Sequence, residues 1–217
     1  MRKKHNGKDA SLRLTLVKLN TMKRALILML FILAAAGMQA QFRKERSTWG
    51  QVGIGTAEVL GSEAITSLIL YLSPREFSNW EDKFWLYWGE NLQRAYTTPP
   101  VWDKDGWAVN YIGHPLQGSL AFNALRSQGA GFWESGAFTL AHTLLWEYFL
   151  EAINEQPSIN DLIVTPLAGV ALGELTNYMT MQFKKGGFKT WEKILVTVFN
   201  PFYLLNQGFK TNEIPGK

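Results

Sequence analysis

The chain has 217 residues, no cysteine and a formal net charge of +4. Without cysteine it can form no disulfide and offers no thiolate to a metal. Residues 1–40 hold eight Lys/Arg and one acidic residue, while the remainder carries 14 basic and 17 acidic residues, so the high pI is no sign of nucleic-acid binding.

Met22 to Ala40 has the layout of a secretory signal peptide. Lys23 and Arg24 form a short positive region, Ala25 to Ala36 is uninterrupted and apolar, and Gly37 breaks the helix. Met38-Gln39-Ala40 places a small residue at the cleavage position. The apolar run of 12 residues falls short of the roughly 20 that span a bilayer. Met22 is read as the initiator, with residues 1–21 as a dispensable upstream stretch. No cysteine follows the leader, so lipid attachment at a new N-terminus is excluded. The expected product is one helical domain over residues 41–217, with its core over about 52–205. Its expected location is the periplasm, free or associated with the outer membrane, with a membrane-embedded bundle as the alternative. All nine tryptophans fall in this part. Tryptophan suits cores, interfaces and the headgroup zone of a membrane.

The predicted elements are helical throughout. Val52 to Leu72 reads as a first helix, stopped at Ser73-Pro74. Ser78 can cap a second helix, with Glu81 and Asp82 in its first turn and Trp80, Phe84, Trp85, Tyr87 and Trp88 along it, ending near Tyr96. Thr97-Thr98-Pro99-Pro100 is a rigid break, followed by a turn-rich loop through Trp107. Asn110 to Ser127 predicts a third helix with Pro115 in its first turns, and Phe132 to Asn154 a fourth. Ser158 with Asp161 predicts a capping box for a fifth helix that runs to Lys184 and bends at Pro166. Trp191 to Phe199 is a last short helix, after which Asn200-Pro201 opens a tail. Sustained alternation is absent, so strands are not expected. The fold class is all-α, a tryptophan-rich bundle of five or six helices.

Several motifs fail on inspection. Gly53-Ile54-Gly55 lacks the third glycine of a dinucleotide fingerprint, because Glu58 stands there. Lys189-Thr190 lacks the glycine of a P-loop. Asp103-Lys104-Asp105-Gly106 lacks the far-end acid of a calcium loop and reads as an Asx turn. No pair of Glu-x-x-His segments is present, so a di-iron site is excluded. No metal or cofactor is therefore expected.

What remains is a set of polar groups within apolar helices. His114, Glu134, Glu147 and Glu151 are candidate catalytic residues, and Asn110, Ser135, Asp161 and Glu174 candidate binding residues. Glu147 and Glu151 are four apart and share a helix face, as Glu174 does with Asn177. If those faces meet, one histidine and several carboxylates converge in a dry interior, where they need partners, protons or a metal. The plain alternatives are a solvated stripe, a helix-start glutamate at 134 and a satisfied core histidine at 114. His142 lies on the opposite side of its helix from Glu151, so the two are not joint ligands. Lys184, Lys185, Lys189 and Lys193 form a basic end, suited to the helix dipole or to anionic lipid headgroups. Gly169 and Gly173 make a small-xxx-small pair that permits close helix approach.

Pro99-Pro100-Val101-Trp102-Asp103, Asn110-Tyr111-Ile112-Gly113-His114-Pro115, Glu134-Ser135, Trp146-Glu147-Tyr148, Glu151, Pro157-Ser158, Asp161-Leu162, Thr165-Pro166, Gly173-Glu174 and Asn200-Pro201 together resemble the bacterial domain of unknown function thirty-nine forty-three. The resemblance covers residues 95–205. It implies an exported protein of the Gram-negative envelope and supplies no activity.

Two functions stay open. One is a non-enzymatic helical envelope protein whose partner is a membrane lipid or an envelope protein. The other is an envelope lipid or glycan hydrolase with His114 as base and Glu134, Glu147 or Glu151 as its partners. The leader is directly testable. Residues 22–45 fused to an alkaline phosphatase without its own signal should export it to the periplasm, and an arginine at Leu30 should abolish this. A fusion that stays cytoplasmic rejects the signal peptide.

Overall fold

The computed structural model describes residues 47–74, 80, 86–102 and 104–210. The expected signal peptide, the start of the second helix at Ser78 and Asp103 lie outside these residues. The fold described lies within the compact unit Ala40–Lys217.

Helix α1 runs from Trp49 to Leu72. Thr48 caps it, its hydroxyl accepting from the Gln51 N–H, while Gln51 returns a carbonyl to the Thr48 N–H at 2.9 Å. Helix α2 covers Trp88–Thr97 and carries Arg94 in its last turn. Val109–Gly113 then forms a π turn that leads directly into α3, His114–Arg126. Pro115 accounts for this opening. It has no N–H to give, and its ring would strike the carbonyl four residues back in a regular helix. A wider turn removes that conflict.

Helix α4, Phe132–Leu145, continues through a second π turn, Trp146–Leu150, and a tight turn at Glu151–Ile153. Helix α5 runs from Ile159 to Lys185, and Pro166 lies inside it without ending it. Gly187, at φ 88°, makes the left-handed turn after α5. Helix α6 is Thr190–Phe199. The tail expected from Asn200-Pro201 is instead a seventh helix, α7, Pro201–Gln207. Proline is favoured at a first helical position, and the Asn200 side chain accepts from the Tyr203 N–H at 3.3 Å, so these two residues start a helix here. No strand occurs among the described residues. Val101 makes one isolated parallel bridge, giving its N–H to Pro157 and accepting from Ile159. The all-α class is as expected, with seven α-helices among the described residues.

The most extensive packing in the fold joins α3 to α5. Their contacts ascend together: Gly118 lies on Thr165 and Gly169, Phe122 on Gly173, and Arg126 on Glu174. The two helices are therefore parallel neighbours. A Cβ on Gly169 would lie 2.5 Å from the Cα of Gly118, and one on Gly173 would lie 2.7 Å from the Phe122 ring. A Cβ on Gly118 would overlap the Thr165 carbonyl. Backbone meets backbone, as the glycine spacing predicts.

The apolar core is modest. Val59, Ala121, Ala124, Leu125, Ala130, Phe138 and Phe202 form one cluster, and Phe188, Val196 and Tyr203 another. Polar links fill much of the remaining interior. Asn123 donates to Thr176 at 2.9 Å, and Asn200 to Thr180 at 3.2 Å. Arg126 holds Glu174 through two bonds at 2.9 and 3.1 Å.

The helix contact sets a prediction. Gly118→Ala and Gly169→Ala each overpack a backbone contact and should cost about 1–3 kcal/mol or more. Gly53→Ala, which meets nothing within 4 Å, should be neutral or slightly stabilising. Thermal unfolding compares the three, and equal melting temperatures would refute the contact.

Candidate functional site

Three segments meet at one buried point. His114 opens α3, Glu147 sits in the π turn after α4, and Asp161 lies in the first turn of α5. All three are buried, and one ligand atom from each lies within 4.8 Å of the other two. His114 Nε2 is 3.5 Å from Asp161 Oδ1.

Local bonding explains how the carboxylates are aimed. Ser158 caps α5, its hydroxyl accepting from the Asp161 N–H at 3.1 Å. In a capping box the Ser158 N–H would go back to the Asp161 carboxylate. Here it goes to Glu147 Oε2 at 2.8 Å. That exchange corrects the expected capping box, ties the α4 extension to α5 and turns the Asp161 carboxylate toward His114. Asn160 Nδ2 donates to the same Asp161 Oδ1 at 3.2 Å.

Glu151 stands beside this group. Its Oε2 accepts from the Trp146 indole N–H at 2.6 Å. Burial, then the negative charges of Glu147, Glu155, Asp161 and Asp105, hold its carboxyl well above the ordinary 4.5. His114, Glu151, Trp146 and Asp105 line a cavity of about 440 Å³, closed on the other side by Ser62, Thr66 and Ile69 of α1. The cavity is mostly apolar, with a few polar groups in its lining.

The other candidates have separate places. Glu134 starts α4, accepting from the Gly131 N–H at 3.3 Å and from Ser47 at 3.2 and 3.1 Å. It lies 13 residues before Glu147, about 20 Å along the helix, so it takes no part in this group. Ser135 gives its hydroxyl to the Gly131 carbonyl. Glu174 pairs with Arg126. Asn110 is buried in the π turn before α3, its amide 3.5 Å from the Asp105 carbonyl. Of the residues singled out, His114, Glu147, Glu151 and Asp161 converge, and Glu134, Ser135 and Glu174 do not.

Sequence reasoning missed a second buried pair. His142 Nδ1 lies 3.7 Å from Glu63 Oε1, with both side chains buried. Glu63 belongs to α1, so the pair bridges α1 and α4 beside a small void next to Thr165 and Gly118. A glutamate within an otherwise apolar stretch of α1 was the one available signal.

The environment of Glu151 makes stability depend on pH. A carboxyl whose folded pKa exceeds its unfolded value stabilises the fold below pH 4.5, and that contribution is lost as pH rises through the folded value. Glu151→Gln keeps an acceptor for Trp146 and removes the titration. Its unfolding should vary less between pH 4.5 and 8 than that of the parent, with no loss of stability at pH 8. An unchanged pH profile would contradict the raised carboxyl.

No curated protein and no solved structure shows significant similarity to the chain. Residues 99–202 match the family model described as Domain of unknown function (DUF3943). The segment that carries His114, Glu147, Glu151 and Asp161 belongs to the DUF3943 family.

Proposed function

We propose that this protein works at a lipid membrane of the bacterial envelope, as a helical structural or binding component. The observation that carries the reading is the set of large apolar side chains on the outer faces of the helices, around an interior in which polar groups are numerous. The interior holds Glu63, His142, His114, Glu147, Asp161, Asn123 and Asn200. The exterior shows Ile54, Ile65, Leu68, Ile69 and Leu72 on α1, Leu140 and Leu144 on α4, and Ile163, Leu175 and Met179 on α5. Exposed apolar area on this scale marks an interaction surface. Helices α1 and α5 are long and apolar enough to cross a membrane; 56% of the apolar window of α5 is buried in the bundle, whereas only 17% of that of α1 is. Water solvates such a helix poorly, whereas acyl chains match it.

The C-terminal end supports the same reading. Trp191, Ile194 and Val198 recur at i, i+3 and i+7 on the open face of α6. Lys184, Lys185, Lys189 and Lys193 surround Trp191 in the chain. Tryptophan next to lysine is the pattern of a headgroup-level anchor. The expected leader would deliver such a chain across the inner membrane.

A second reading, hydrolysis of an envelope lipid or glycan, draws on one observation. His114 lies 3.5 Å from a carboxylate oxygen and lines an apolar cavity together with Glu151. It requires that His114→Ala folds normally and loses turnover. Disturbed folding or membrane association in that variant favours the structural reading instead.

Flotation tests the main proposal. The full chain, mixed with vesicles of phosphatidylethanolamine and phosphatidylglycerol, should rise with them and remain bound at high salt. Replacing the four lysines by glutamine should weaken capture by anionic vesicles several-fold and leave neutral ones unaffected. A monomer that stays in solution without detergent or lipid overturns the proposal.

A further inference from the structure

We propose that His114, Glu147 and Asp161 hold one divalent transition-metal ion of the Zn²⁺ class. The site is assembled from three separate segments, so no spacing in the chain announces it. It goes beyond the membrane reading and does not depend on it.

The donor set fits such an ion. One imidazole nitrogen and two carboxylate oxygens are ligands that Zn²⁺ accepts, and three protein ligands leave a position for water or substrate. The ligand atoms already lie within 4.8 Å of one another, so closing around an ion needs only small side-chain movements. Charge favours it as well. Glu147 and Asp161 are almost fully buried, at 1% and 2% exposure. A protonated His114 offsets one negative charge, while a divalent ion offsets two.

The supporting shell is built. Ser158 N–H holds Glu147 Oε2, and Asn160 holds Asp161 Oδ1, the oxygen that faces His114. Ligands oriented by outer hydrogen bonds are the usual construction of a metal site. The backbone adds an independent observation. His114 directly follows one π turn and Glu147 sits within the other. Such turns widen a helix and frequently mark functional positions. His114 also lines the cavity of about 440 Å³, which supplies an entry path.

Tag-free full-length protein, stripped with chelator and dialysed, tests the site. Titration with Zn²⁺ against a chromophoric chelator should give one equivalent per chain and a higher melting temperature. Co²⁺ in its place should give the visible bands of a four-coordinate nitrogen and oxygen site, without a thiolate band, as the chain has no cysteine. His114→Ala and Asp161→Asn should each weaken Zn²⁺ binding by about tenfold or more. His142→Ala, which alters the buried histidine beside Glu63, should bind as the parent does. If either ligand variant fails to fold, the stoichiometry, melting shift and Co²⁺ spectrum of the parent decide the matter. No uptake by the parent, uptake without a melting shift, or loss of binding in His142→Ala rather than His114→Ala overturns the proposal.

Discussion

The contact between Gly118 on α3 and Thr165 and Gly169 on α5 governs the rest of the fold. A single methyl at either glycine would overlap backbone atoms of the other helix. Parallel helices pressed together this closely fix the register one turn away in both directions. Toward the N-termini, the register sets His114 against Asp161. Toward the C-termini, it sets Phe122 on Gly173 and Arg126 on Glu174. The candidate site is therefore a consequence of helix packing. Its geometry is held by elements that cannot slide without a steric clash.

Close packing also explains why so many polar groups lie inside. Small residues at a helix contact leave little apolar area to bury, so less of the cohesion can come from hydrophobic burial. Hydrogen bonds between helices supply part of the difference. Asn123 to Thr176, Asn200 to Thr180 and the doubly bonded Arg126–Glu174 pair each join two elements. Such bonds fix one arrangement, because any other leaves a buried polar group without a partner. Large apolar side chains meanwhile sit on the outer faces of α1, α4, α5 and α6. A bundle with this distribution matches a lipid surface better than water, and the membrane proposal rests on that match.

The two π turns belong to the same logic. Each puts an irregular backbone segment where a regular helix would aim its side chains elsewhere. Pro115 brings about the first. The second places Glu147 where the Ser158 N–H can reach it, and that one bond couples the end of α4 to the start of α5. Asp161 is thereby released from a purely local capping role. A buried histidine, two oriented carboxylates and the raised Glu151 beside an apolar cavity are the chemical result.

The sequence by itself determined the helical class, the family segment and most helix boundaries, because proline, glycine and capping residues act locally. It also carried the close approach at Gly169 and Gly173, since small residues at that spacing leave one strip of helix surface bare. It singled out His114, Glu147, Glu151 and Asp161 as polar groups in apolar surroundings. Tertiary structure alone decided which of them meet. Glu134 has the same chemistry as Glu147, yet it caps its own helix about 20 Å away, a distance that a list of polar residues does not contain. The Glu63–His142 pair joins residues nearly eighty positions apart, and no local pattern links them. Asn200-Pro201 starts a helix by local capping, and Phe202 and Tyr203 beyond it anchor that helix in the two cores. Local propensity sets where helices begin and end. The register of one helix on another, which comes from packing, sets which side chains share a site.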